Sequence, residues 1–272
     1  YGADRKIERI LPTERNDAHR LIEECMIAAN VAAARFLQRQ KMPGLYRIHE
    51  GPAEDRLNKL RAFLGELGLG LGGGEKPSPL DYTRLLERVR DRPDAHLIQT
   101  VMLRSLAQAV YNPGNVGHFG LALDAYAHFT SPIRRYPDLQ VHRAIRHALN
   151  GGKAVDFPYN HAELIGLGEH CSMTERRADE AVRDAVEWLK CEYMLDKVGQ
   201  VFDGIITAVT AFGLFVELRG VFVEGLVHVT SLRNDYYHFD PVGHRLHGER
   251  SGQVYRLGDR LTVRVARVDL DE

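Results

Sequence analysis

The chain has 272 residues, 44% of them hydrophobic, and its 36 Lys and Arg against 37 Asp and Glu leave a net charge of −1 and a pI near 7.0. This length suits one large and one small globular domain. No apolar run approaches the roughly 18 residues of a membrane span, and the balanced charge excludes a strongly basic protein of the type that binds nucleic acid non-specifically.

The sequence predicts that the first 198 residues are mainly helical. The apolar spacing and helix-start signals predict helices over 17–40, 54–67, 82–91, 94–110 and 160–197. A β-like or irregular segment is expected over 115–128. The Gly- and Pro-rich stretch 65–79 is predicted to be a loop, and because it lacks the Lys-Ser/Thr of a P-loop, its pattern does not indicate a nucleotide site.

The periodicity changes after Gly199. VFDGIITAV, GLFVEL, GLVHV and LTVRVARV are short β-rich runs, the first three separated by glycines. This pattern is typical of a small antiparallel barrel. The sequence therefore predicts an α+β chain, with a helix-rich domain over 1–198 and an all-β domain over 199–272.

The cysteines indicate neither a zinc site nor a disulfide framework. Cys25, Cys171 and Cys191 are odd in number and show no C-x-x-C spacing. A reducing cytoplasm fits this pattern best.

The segment HFGLALDAYAHFTSPIRRYPDLQVHR, residues 118–143, predicts an anion site. Ser131 is expected to cap a helix and Pro132 to occupy its first position, which leaves free amides facing outward. Arg134 and Arg135 add forked, permanently charged donors beside those amides. Pro137 is expected to kink or divide the helix. The alternative is a surface helix whose arginines contact only solvent or nearby carboxylates.

Two glutamates lie on helix faces that are otherwise apolar. Glu23 shares a face with His19 and Asn30 in the first helix, so we expect it to point inward. A carboxylate that points inward needs a partner. Glu23 is therefore either a functional group or the acceptor of a buried hydrogen bond between helices.

The second of these glutamates is in the long helix. Glu175 falls within an apolar stripe formed by Cys171, Ala178, Val182, Ala185 and Leu189, so it is expected to face the core. A carboxylate in that position needs a cation, and Arg134 is the candidate. Arg176 and Arg177 lie off the stripe and are more typical of solvated charges.

Flat side chains recur in the β-rich region. Phe212 and Phe215 flank a Gly-Leu pair and His228 follows on the next strand, a spacing that can bring the three rings to one barrel face for base stacking. The alternative is that the phenylalanines belong to the barrel core. Tyr236 and Tyr237, in the loop beyond, are weaker candidates for the same surface.

The segment 118–143 closely resembles the signature of the ribonuclease II/R (RNB) superfamily. The matching residues are Tyr126, Thr130, Ser131, Pro132, Arg134, Tyr136 and Asp138. The segments HRLIEECMIAANVAAARFL and MTERRADEAVRDAVEWLKCEYM agree with the same family, and the final stretch resembles an S1-type RNA-binding domain. The resemblance covers nearly the whole chain.

The resemblance implies the carboxy-terminal portion of an RNB catalytic domain over 1–198, followed by an S1-type OB-fold barrel over 199–272. The implied activity is processive 3′-to-5′ hydrolysis of RNA to nucleoside 5′-monophosphates. It also implies Mg²⁺ held by clustered aspartates upstream of Tyr1, with no metal ligands in this chain, so the chain alone is expected to hydrolyse RNA poorly. The alternative is a non-catalytic module that binds single-stranded RNA. A cytoplasmic monomer with no membrane partner is expected.

The resemblance also assigns site residues. Arg134, Glu23 and Glu175 are placed around the RNA 3′ end as catalytic residues, and Ser131, Arg135 and Tyr126 are expected to contact RNA beside them. The S1-type resemblance assigns the RNA platform of the barrel to Phe212, Phe215, His228 and Asp269.

Overall fold

In the computed structural model, which describes residues 6–11, 14–232 and 235–270, helices precede a strand-rich region. The helices are α1 (Asp17–Arg39), α2 (Glu54–Glu66), α3 (Pro79–Val89), α4 (Ala95–Ser105), α5 (Tyr136–Leu149) and α6 (His161–Met194). Two short strands, β1 (Tyr46–Ile48) and β2 (Val110–Asn112), lie among them. The predicted α+β order, a helix-rich region followed by an all-β region, is confirmed.

Helix α1 begins with a reciprocal capping box. The Asn16 side chain accepts a hydrogen bond from the His19 backbone N–H at 3.1 Å, and the His19 ring accepts one from the Asn16 N–H at 3.3 Å. The carboxy-terminal half of α1 packs against β1 and α5 in a core that contains Ala34, Leu37, Ile48, Val141 and Ala144. The amino-terminal half of the helix is exposed.

The β1–β2 pair is a feature that periodicity did not predict. The two strands run antiparallel with Arg47 opposite Tyr111. Helix α6 crosses β2 so closely that a Cβ added to Gly168 would lie 2.5 Å from the Tyr111 carbonyl oxygen. The helix predicted over 94–110 therefore ends at Ser105, because the chain must extend to pair with β1.

The predicted helix start at Ser131 is wrong. Residues 132–134 form a turn, and α5 starts at Tyr136 with Pro137 in its first turn, where proline is well tolerated. Pro137 therefore begins the helix and does not kink it. Ser131 therefore caps no helix, since the N-cap position of α5 is Arg135, and the Ser131 backbone N–H donates to the Asp138 carboxylate at 2.8 Å.

The strand-rich region contains two antiparallel sheets. The larger sheet has the order β5-β4-β3-β9, formed by β3 (Val201–Thr210), β4 (Gly213–Leu218), β5 (Glu224–His228) and β9 (Arg260–Arg264). The smaller sheet, absent from the sequence prediction, is formed by β6 (Tyr237–Asp240), β7 (Arg245–Gly248) and β8 (Val254–Arg256). Tyr237 and Leu246 point from this sheet into the core.

The strand-rich region, which is called the barrel from here on, shares one hydrophobic core with the helices α2 to α4. Its buried members include Leu60, Phe63, Leu85 and Ile98 from the helices and Ile206, Leu214 and Leu246 from the strands. Burial of this apolar surface holds the strand-rich region against the helices. The division into 1–198 and 199–272 stays a prediction.

Helix α6 is long and only partly covered. Leu164, Gly168 and Cys171 near its start are buried, as is Met194 at its end, but the residues from 176 to 188 are exposed. The predicted core-facing stripe is therefore wrong beyond Glu175. Within the described ranges, no helix combines the length and apolarity needed to cross a bilayer.

Candidate functional site

A polar cluster lies where β1, β2 and α6 meet. The Arg47 guanidinium donates to Glu175 Oε2 at 2.7 Å and lies 4.6 Å from the centre of the Tyr111 ring. The Tyr111 hydroxyl is 2.9 Å from His128 Nδ1. The Tyr111 backbone N–H donates to Ser172 Oγ at 2.9 Å, one helical turn before Glu175. The cluster therefore joins two strands, one helix and the segment before the 131–135 turn.

Burial controls the ionisation of the aromatic groups in this cluster. It raises the pKa of the Tyr111 phenol, a shift that the positive charge of Arg47 partly opposes. Burial, followed by the charges of Arg135 and Arg47, lowers the pKa of His128 from 6.5 to about 3. His118 shifts in the same direction, to about 4, mainly through burial. Both imidazoles are neutral at pH 7, so His128 Nδ1 can accept a hydrogen bond from the Tyr111 hydroxyl.

The lowered pKa of His128 predicts a pH-dependent stability. The imidazole of His128 has a pKa of 6.5 in the unfolded state and of about 3 in the folded state. Between these two values the unfolded state binds a proton that the folded state does not bind. The stability present above pH 6.5 is therefore lost as the pH falls from 6.5 toward 3. We expect the free energy of unfolding to fall by up to about 1.4 kcal/mol per pH unit from this one group. Denaturant unfolding between pH 7 and 5 would measure it.

The control uses a second histidine. His128→Phe is expected to flatten this pH dependence, while His170→Phe, at an exposed position of α6, controls for the loss of an imidazole. An unchanged slope in the His128 variant would contradict the prediction.

Asp138 shapes the turn over residues 131–135. Its side chain is fully buried, and Oδ1 accepts both the Ser131 N–H at 2.8 Å and the Arg135 guanidinium at 2.7 Å. Arg135 is thus held inside the turn, with its side chain 19% exposed. Arg134 is exposed, and its guanidinium forms no ion pair with the described part of the chain. The turn therefore presents Arg134 outward from a fixed base.

The predicted pairing of Glu175 with Arg134 is corrected to pairing with Arg47. The Glu175 side chain is 32% exposed, so it lies at the margin of the core and not inside it. Arg47 was missed because 128 positions separate it from Glu175 and no sequence spacing links them.

Glu23 does not point inward, contrary to the prediction. Its side chain is 46% exposed and forms an ion pair with Arg15. Asn30, on the same helix face, is the buried member: its amide donates to the Tyr126 hydroxyl at 2.9 Å and accepts the Phe129 N–H at 2.9 Å. The convergence of Arg134, Glu23 and Glu175 around one RNA end stays a prediction.

Tyr126 is only 8% exposed and packs edge-on against His118 and His128. The Tyr126 hydroxyl accepts a hydrogen bond from Asn30, and its ring packs inside the cluster, so Tyr126 does not offer a free face for base stacking. Ser131 and Arg135 likewise have bonds within the turn, the first through its backbone and the second through its side chain.

The barrel brings the predicted aromatic residues to one end of neighbouring strands. Phe212 is 49% exposed and lies edge-on to Phe215, with ring centres 6.0 Å apart. Gly213 of β4 pairs with His228 of β5, so the exposed His228 lies beside the Phe212 backbone. The His228 ring is 2.9 Å from the Thr230 hydroxyl. Phe212 and His228 are therefore accessible to a flat ligand, and Phe215 lies half-buried beside Phe212.

Asp269 lies at a cavity that residues of α6, β4 and β5 line. It pairs with Arg267 and lines a cavity of about 380 Å³ together with Leu226 and Cys191. Its assignment to the RNA surface stays a prediction.

The metal that the resemblance implies has no matching donor set here. Across residues 6–11, 14–232 and 235–270, no group of three or more His, Cys, Asp or Glu is arranged to hold a metal ion. The residues within these ranges therefore offer no donor set that fits magnesium. All three cysteines are free thiols.

Comparison with protein families agrees with this architecture. Residues 2–151 match the RNB domain, which is more than half of the chain. The chain belongs to the RNB family. Residues 195–272 of this RNB chain also match the S1 RNA binding domain, in the region where the barrel strands lie.

Relatives and solved structures extend the similarity. The chain is 59% identical over 280 residues to ribonuclease R of Escherichia coli, which covers 100% of this chain and 34% of that protein. It therefore spans about a third of the length of the curated relatives it matches. The apo form of Mycoplasma genitalium RNase R matches with a TM-score of 0.86 and 28% identity, covering 95% of this chain and 41% of the other. The same RNase R in complex with ribose methylated single-stranded RNA matches with a TM-score of 0.84 and 28% identity over the same shares.

Proposed function

We propose that the complete protein is a processive 3′-to-5′ exoribonuclease that hydrolyses RNA to nucleoside 5′-monophosphates. The observation that carries the proposal is the 59% identity to ribonuclease R along the whole of this chain. In this proposal residues 1–198 supply the carboxy-terminal part of the catalytic domain, and residues 199–272 supply an S1-type barrel that binds single-stranded RNA.

Arg134 is proposed to hold a phosphate oxygen at the scissile linkage. Its guanidinium is exposed at the tip of a turn that Asp138 fixes from inside. A preorganised cation of this type stabilises charge that develops in the transition state, and its geometry suits paired phosphate oxygens. The outward presentation of Arg134 supports this role.

Glu175 and Glu23 are proposed to orient the terminal nucleotide. A carboxylate accepts hydrogen bonds, so it selects hydroxyl or amino groups of the nucleotide and not its phosphate. Glu175 fits this role because only its Oε2 bonds Arg47 while the side chain remains 32% exposed.

The Mg²⁺ ions are proposed to be bound by residues upstream of Tyr1 in the complete protein. Such ions would activate the attacking water. The part assigned to this chain is to bind the RNA, to hold the phosphate and to place the 3′ nucleotide. We further propose a cytoplasmic monomer, consistent with the three free thiols.

The barrel is proposed to stack RNA bases on Phe212, Phe215 and His228. Phe215→Ala in the complete protein is expected to weaken single-stranded RNA binding by about 1–3 kcal/mol, the usual contribution of one stacked base. A fluorescence titration with a short unstructured RNA measures it. Trp188→Ala, on the exposed part of α6, removes a ring from another part of the molecule and is the control. Equal affinities for wild type and the Phe215 variant would remove that ring from the RNA surface.

A metal-dependent assay on RNA labelled near its 5′ end tests the proposed activity. The complete protein is expected to shorten the RNA one nucleotide at a time and release 5′-monophosphates with Mg²⁺, and to stop when the metal is chelated. The 272-residue chain is expected to release little or none. RNA binding without hydrolysis by the complete protein would favour the non-catalytic module.

A further inference from the structure

We infer that Arg47 is a positioning residue for Glu175, fixing its carboxylate where it receives the 3′-terminal nucleotide. The inference rests on the proposed function, because it concerns how one proposed RNA contact is held in place. It replaces the sequence-based pairing of Glu175 with Arg134.

The first support is the location of the pair. The Arg47 side chain is 15% exposed and that of Glu175 is 32% exposed, so the guanidinium lies behind the carboxylate as seen from solvent. Their 2.7 Å hydrogen bond uses Glu175 Oε2. Among the described residues no hydrogen bond reaches Glu175 Oε1, which leaves that oxygen for a donor from the ligand.

The second support is the rigidity of the base on which Arg47 rests. Its backbone N–H donates to the Tyr126 carbonyl at 2.9 Å, and its strand pairs with β2 opposite Tyr111. Its guanidinium packs on the Tyr111 ring. Tyr111 is itself fixed through Ser172 and His128. A side chain held from so many directions can hold its partner in one geometry.

The third support is the position of Glu175 on α6. From residue 176 to residue 188 the helix is exposed, so Glu175 is the last residue before α6 leaves the helical core. Without Arg47, the long Glu175 side chain would be free to change rotamer at this margin. A group misplaced by about 1 Å can cost on the order of 10²-fold in rate, so a positioning partner affects turnover without touching the RNA.

Removal of Arg47 separates positioning from simple structural support. In the complete protein, Arg47→Met is expected to lower kcat on the order of 10 to 10²-fold with a smaller change in KM, and Arg47→Lys is expected to recover part of the loss. Glu175→Gln is expected to have a similar effect. The double variant Arg47→Met, Glu175→Gln should be no slower than the slower single variant, because both substitutions break the same Arg47–Glu175 interaction.

The matched control is another half-buried ion pair. Arg245 donates to Asp240 at 2.7 Å on the smaller sheet, and Arg245→Met is expected to leave kcat unchanged. Thermal unfolding of each variant distinguishes lost turnover from lost folding. If Arg47→Met does not fold, Arg47→Lys and Glu175→Gln still test the coupling through their own double variant.

The outcomes separate this inference from the proposed function. Wild-type kcat in Arg47→Met, or losses that multiply in the double variant, would overturn the inference and leave the exoribonuclease proposal in place. A loss of kcat with Arg47→Met but none with Glu175→Gln would also overturn it, since Arg47 would then not act through Glu175. A complete protein without nuclease activity would overturn both.

Discussion

Arg134→Ala in the complete enzyme is expected to lower turnover by on the order of 10²–10³-fold, as loss of one preorganised electrostatic donor does. The reason is geometric. The arginine is presented outward at a turn whose base is closed by Asp138, and it has no ion-pair partner in the described part of the chain to compete with a phosphate. Steady-state hydrolysis of a short unstructured RNA measures the effect.

The control for Arg134→Ala is Arg146→Ala. Arg146 is exposed in the last turn of α5, so its removal changes the net charge equally but leaves the 131–135 turn intact. We expect this control to retain turnover within about two-fold, since surface changes away from a site have small effects. Unchanged turnover and RNA affinity in Arg134→Ala would remove this residue from the proposed catalytic list.

Asp138→Ala is expected to lower the free energy of unfolding by about 3–5 kcal/mol, the usual cost of breaking a buried ion pair. The Asp138 side chain is 0% exposed and bonds both the Ser131 N–H and the Arg135 guanidinium. Its loss leaves a mostly buried guanidinium without its carboxylate. Denaturant unfolding of the protein measures the change.

Two further variants calibrate the Asp138 result. Asp138→Asn keeps a hydrogen-bond acceptor and the side-chain volume, so its loss should be smaller than that of the alanine variant. Asp184→Ala removes a carboxylate from the exposed part of α6 and should have little effect on stability. A stability for Asp138→Ala equal to that of wild type would show that this carboxylate does not hold the turn.

Long helices could be predicted from the sequence, but the sheets only in part. The observed bounds of α1 and α6 lie within about three residues of the predicted ones, because helical spacing and caps are local properties. The strands β1 and β2 have three residues each and pair across more than sixty positions. A strand of three residues is too short to show a periodicity in the sequence, and pairing with its partner strand stabilises its extended conformation.

The site residues show the same limit. Helical spacing identified which residues share a face with Glu23 and Glu175, but it could not show which faces the rest of the chain covers. Asn30 proved to be the buried member of the first face, while Glu23 remained exposed. At Ser131, the Ser-Pro pair indicated a helix start, but the chain first forms a turn that the Asp138 carboxylate, seven residues later, holds through the Ser131 N–H, and α5 begins only at Tyr136.

The sequence by itself determined the family, the order of a helical region before a barrel, and the presence of two arginines at the polar turn of the segment 118–143. These follow from the identity and spacing of neighbouring residues. Only the tertiary structure decided that Arg47 is the cation of Glu175 and that Arg135 belongs to Asp138. Ion pairs form between groups that folding brings within a few ångströms, and no local pattern encodes which distant strand will lie beside α6.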